Sequence, residues 1–332
     1  MRRQSVRPGH LSAEAPPADQ TAQHAERAAG TVLLAHSLLI VGFVVAMSGL
    51  PQIRRLFDTS SLSGAVLNVL LTQGAFILLP TLLTAWFHQV PSAILTGTRS
   101  RPGSIILSLL VGIPAAVVFS GLNNLLLFFL AGTGFTPPAD TLASFHIQSF
   151  DRSVQELVLI AIVSILLPAV CEELMFRGLI QNSLMLRAQE GTVIFLQAFV
   201  FMLFHNNPAF LLPPFLAGLL LGLIRSRSGS LMAAITAHLS LNTALALMSI
   251  YLPRFSTQFV ENATQSGRSL LYASLIATCL AAVALVPLVV LIAGTPHDYQ
   301  PPAARRRLPV DFKFLLAILV MLVTISFEYF ST

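Results

Sequence analysis

The chain has 332 residues, of which 55% are hydrophobic and only 10% charged, and its formal net charge is +5. Soluble domains carry about 25% charged residues, so this composition excludes an ordinary water-soluble globule and points to an all-α, polytopic transmembrane bundle. The positive charge does not indicate nucleic acid: the arginines lie between apolar runs, where membrane topology and anionic headgroups place them, and no nucleic-acid partner is expected.

Residues 1–30 are polar, rich in Ala, Pro, Gln and Arg, with no apolar period, which predicts a disordered tail. The polar stretch is too long, and the apolar run after it too full, for a signal peptide. Residues 31–330 then form a single transmembrane domain of about eight to nine spans. Nine segments are read: about 31–50, 64–87, 104–131, 155–187, 192–207, 209–225, 230–251, 270–294 and 312–330. A span needs roughly 20 apolar residues. With the amino terminus cytoplasmic, 14 of the 19 basic residues fall on the cytoplasmic side. The positive-inside rule therefore places the carboxyl terminus outside a multi-pass membrane protein. Arg54 and Arg55 are the pair that fits this arrangement worst.

Cys171 and Cys279 both lie in apolar runs, with no CxxC spacing. Cys171 adjoins Glu172, which raises the question of a thiol nucleophile, but a buried cysteine more often serves as a small apolar residue.

Five polar residues stand where apolar ones are expected. Glu172 and Glu173 follow ILLPAVC, His205 ends VIFLQAFVFMLFH, His238 follows LMAAITA, and Asn242 comes four residues later. An ionisable group at the centre of a span costs about 2.5–3.5 kcal/mol on insertion scales. One such residue could be polar glue between helices. Two carboxylates and two imidazoles on three spans are harder to assign to packing, which Leu or Ser would supply at lower cost. Residues four apart share a helix face, which pairs Glu173 with Arg177, Phe201 with His205, and His238 with Asn242. Depth adds a condition. His205 lies roughly 20 Å in from Thr192 at 1.5 Å per residue, so Glu172 reaches that depth only if its helix runs past Arg177 to Arg187. One helix from about Val154 to Arg187, kinked at Pro168, is predicted, with Glu173 and Arg177 at ion-pair distance.

A carboxylate and two imidazoles beside water permit two kinds of hydrolysis. Glu172 can act as general base on a water that His205 helps to position, with His238 and the Asn242 amide donating to the oxyanion. Alternatively, zinc held by a glutamate and the histidines polarises the water, although no HExxH pair is present. Spacing leaves both open.

The stretches CEELMFRG (171–178), FMLFH (201–205) and HLSLN (238–242) resemble the EExxxR, FxxxH and HxxxN motifs of the CPBP family of intramembrane proteases, the type II CAAX prenyl protease and bacteriocin-processing, Abi-like family. The resemblance covers about residues 155–250. It implies an endopeptidase that cuts a membrane-associated or lipidated peptide or protein within the bilayer. Glu172, His205, His238 and Asn242 would be catalytic, with Glu173, Arg177 and Phe201 supporting. Members have been called metalloproteases, yet the resemblance also admits a metal-free, glutamate-dependent mechanism. No cofactor is favoured; zinc, if bound, would use Glu172, His205 and His238. The competing readings are a non-enzymatic peptide-binding immunity or scaffold protein and a proton-coupled transporter, for which no paired halves are visible.

Overall fold

The computed structural model describes residues 18–58, 61–131, 133, 153–207, 210–251, 265–295 and 310–331. Among them no strand occurs, and the only ladder contact is an isolated bridge between Gly97 and Ser230. In chain order the helices are α1 (Ala18–Gly49), α2 (Pro51–Leu56), α3 (Leu62–Phe87), α4 (Ser92–Thr96) and α5 (Pro102–Ala131). They continue as α6 (Val154–Met185), α7 (Glu190–Phe204), α8 (Leu212–Ser228), α9 (Leu231–Tyr251), α10 (Gln265–Ala293) and α11 (Phe312–Ser331).

One expectation is corrected here, and another is not confirmed. Residues 18–30 belong to α1 and not to a tail. This stretch lacks large apolar residues, which hides it from a hydropathy reading, but it is rich in the helix formers Ala, Gln, Glu and Arg. Ala22, Ala25 and Ala29, one turn apart, are buried, so small residues let α1 pack closely. Residues 1–17 lie outside the described part. The unconfirmed expectation concerns span number. Six described helices are long and apolar enough to cross a membrane: Gln20–Gly49, Leu62–Phe87, Pro102–Leu130, Val154–Met185, Leu231–Met248 and Leu271–Ala293. The apolar stretches Glu190–Phe204 and Phe312–Phe327 are shorter, and α8 ends on Arg225 and Arg227. At 1.5 Å per residue α7 spans roughly 22 Å, less than the roughly 30 Å hydrocarbon core. A count of eight to nine spans is therefore not confirmed.

The predicted long helix does continue past Arg177: helical geometry is unbroken from Val154 to Met185. It is not uniform. π-helical turns occupy Ala161–Leu166, just before Pro168, and Leu174–Gln181, just after the two glutamates. In a regular α-helix the Pro168 ring would collide with the carbonyl four residues back, and a widened turn relieves that clash. α3 repeats the device, with π geometry over Leu70–Leu78 ahead of Pro80.

α6 sits against α9, α3, α7 and α8, while α5 packs on α9 and α10, and α1 on α11. The close approach of α7 and α8 depends on Gly218 and Gly222, the small pair of a GxxxG spacing. A Cβ on Gly218 would come within 2.7 Å of the Ala198 backbone. Gly229 closes α8 in the left-handed conformation at φ 66°, the usual glycine helix end.

Candidate active site

Charged residues are almost never fully buried unless paired, yet Arg177 is the largest fully buried side chain among the described residues. Glu173 is equally inaccessible, and Glu172 and His238 are each only 5% exposed. The predicted ion pair is formed: Arg177 Nη1 lies 2.7 Å from Glu173 Oε1. The guanidinium stands over the Phe201 ring at 4.4 Å from its centroid, and its Nη2 donates to the Gly218 carbonyl at 3.4 Å. Phe201 therefore meets Arg177 as well as the His205 ring, which lies edge-on to it at 4.7 Å.

Glu173 accepts a second donor at the same oxygen. His238 Nδ1 is 2.8 Å from Glu173 Oε1. An ionised carboxylate only accepts, so His238 carries a proton on Nδ1 and keeps Nε2 for other partners. His205 is fixed by a different acceptor. It caps the end of α7, where Asn206 turns into the left-handed region at φ 46°, and its Nδ1 lies 2.8 Å from the Phe201 carbonyl. A carbonyl also only accepts, so the neutral His205 ring holds its proton on Nδ1 and leaves a lone pair on Nε2.

Glu172 does not share the Glu173–Arg177–His238 network by hydrogen bond. Its Oε1 accepts from Gln73 Nε2 at 3.0 Å, and it interacts electrostatically with His205 and Arg177. Asn242 is half-buried, one turn beyond His238 on α9, and no described hydrogen bond joins its amide to either glutamate or histidine. Cys171 is buried in the apolar core beside Met175 and Phe176. Of the seven singled-out side chains, the structure thus draws Arg177, His205 and His238 around Phe201, joins Glu173 to Arg177 and His238, and leaves Glu172 on Gln73 and Asn242 outside these contacts.

Several polar residues at this seam went unread in the sequence. Gln73 reaches Glu172. Gln197 Nε2 donates to the Gly218 carbonyl at 2.7 Å, the acceptor that Arg177 also uses. Gln181 Nε2 donates to the Gly222 carbonyl at 2.9 Å, and Arg225 Nε to the Arg177 carbonyl at 3.4 Å. The available signal was the one used for the glutamates, a polar side chain inside an apolar run, as in LLTQGAF and VIFLQAF.

Among the described residues no three His, Cys, Asp or Glu side chains are grouped so that they could hold a metal ion, and Glu173 is occupied by Arg177 and His238.

The fold and site together define the class: an integral, multi-pass α-helical membrane protein with a buried carboxylate–guanidinium–imidazole cluster at its centre. Residues 154–244 match the family model described as type II CAAX prenyl endopeptidase, Rce1-like. The matched stretch contains all three motifs and supports the resemblance to the CPBP proteases, a CAAX-type intramembrane endopeptidase family of hydrolases. It leaves α1, α3, α5, α10 and α11 outside. No curated protein and no solved structure matches the chain.

Proposed function

We propose that the protein is an intramembrane endopeptidase that hydrolyses a peptide bond of a membrane-associated or lipidated substrate, with Glu172 as the base. Glu172 takes a proton from water as the water oxygen bonds to the scissile carbonyl carbon, and returns that proton to the amine nitrogen as the C–N bond breaks. The His205 Nε2 lone pair accepts a hydrogen bond from the same water and orients it. His238, held at Nδ1 by Glu173, donates from Nε2 to the oxyanion when its ring carries both protons, and the Asn242 amide supplies the second donor. In that state Glu172 and Glu173 balance Arg177 and His238, so the buried cluster is neutral as a whole.

The observation that carries this reading is the contact of His238 and Arg177 with one oxygen of Glu173, next in the chain to the glutamate that remains outside that network. The metal-free route is proposed because Glu172, His205 and His238 do not form a metal-holding group. Purified protein is expected to cleave members of a panel of lipidated and unlipidated peptides, and to retain full activity after chelator dialysis that removes bound metal. Peptide binding without turnover would favour the scaffold reading. Activity that is lost on chelation and returns with stoichiometric zinc would overturn the metal-free route.

A further inference from the structure

Gln73 lies on α3, far outside the segment that matches the family model, yet it makes the hydrogen bond to Glu172 Oε1 at 3.0 Å. Among the described residues this is the one hydrogen bond that the Glu172 carboxylate receives. Arg177 and His238 are committed to Glu173, and His205 Nδ1 to the Phe201 carbonyl. Without Gln73, the Glu172 carboxylate would lose the one hydrogen bond that fixes its orientation.

The glutamine sits there at a disadvantage. Its Oε1 is buried and has no hydrogen-bond partner, an unfavourable state for an amide in an apolar helix. A leucine would fill similar space without it. The backbone around Gln73 is also unusual, because π geometry runs from Leu70 to Leu78, and such widened turns are frequent at functional sites. The same stretch touches the other side of the cluster. The Phe76 carbonyl is bonded to His36 Nδ1 at 3.0 Å, and the His36 ring lies 4.5 Å from that of Phe204, the neighbour of His205.

We propose that Gln73 is a positioning residue that fixes the Glu172 carboxylate for proton transfer from water. This rests on Glu172 being the base. The charged or titratable groups that interact with Glu172 include Arg177 on its own helix and His205 from α7. Among the described residues neither of them hydrogen-bonds the Glu172 carboxylate, which receives only the Gln73 amide.

The test uses the full-length protein in lipid nanodiscs. Gln73→Met keeps the length and removes the donor; Gln73→Asn keeps the amide and shortens its reach by one methylene. With a farnesylated peptide that the parent protein cleaves, each variant is expected to lose roughly tenfold to a hundredfold in kcat, with KM within about twofold, as misplacement of a reacting group predicts. Infrared difference spectra against Glu172→Gln isolate the Glu172 carboxylate band, which is expected to shift in both variants as the hydrogen bond is lost. An unshifted band, or a shifted band with unchanged kcat, overturns the inference. If the parent cleaves no peptide, the proposed function fails, while the infrared comparison still decides whether Gln73 holds Glu172.

Discussion

Glu173 and Glu172 are adjacent in the chain but differ in surroundings, and their replacements should separate accordingly. Glu172→Gln preserves shape and hydrogen-bonding capacity while removing the proposed base. Turnover is expected to fall by about 10²–10⁴-fold with an unchanged unfolding midpoint, measured on purified protein. Glu173→Gln acts elsewhere, since one Glu173 oxygen serves both Arg177 at 2.7 Å and His238 at 2.8 Å. It leaves a buried guanidinium without its counter-charge, a loss of about 3–5 kcal/mol for a broken buried pair. It also releases the His238 ring, so activity should fall in part but stay measurable. A Glu173→Gln protein as stable as the parent would show that the pair contributes little.

Between elements, the π-helical stretches of α3 and α6 and the tight α7–α8 contact set the site's geometry. The two glycines of α8 give a graded test of that contact. At Gly218 an added methyl meets the Ala198 Cα at 2.7 Å and Cβ at 2.8 Å, whereas at Gly222 it meets the end of the Gln197 side chain at 2.5 Å. A side-chain amide can swing aside and a helix backbone cannot. Gly218→Ala is therefore expected to destabilise by about 1–3 kcal/mol, the usual range for overpacking, and Gly222→Ala by less. Thermal unfolding in detergent gives the order, and equal or reversed losses would contradict the packing argument.

For the molecule as a whole, arginine placement bears on orientation in the bilayer. The amino terminus is proposed to be cytoplasmic and Thr332 to lie on the opposite side. Reporter fusions after residues 229 and 332 should fall in opposite compartments. Identical compartments would mean that α9, α10 and α11 do not add three crossings. The Arg305–Arg307 cluster, proposed to face the cytoplasm, lies outside the described residues.

Local periodicity was enough for some of this. Hydropathy made the chain an all-α membrane protein, and four-residue spacing joined Glu173 to Arg177, because both depend on neighbours along one helix. The depth condition also required α6 to run past Arg177, as it does. Hydropathy failed at residues 18–30, where α1 packs through alanines, and its span count is not confirmed, because α7 and α8 are apolar without having a crossing helix's length and composition. Only the tertiary structure placed His238 on Glu173, 65 residues away, and Gln73 on Glu172, 99 residues away. Those contacts depend on which helices adjoin and on where two π-helical stretches turn their side chains. Spacing within a single helix carries no record of either.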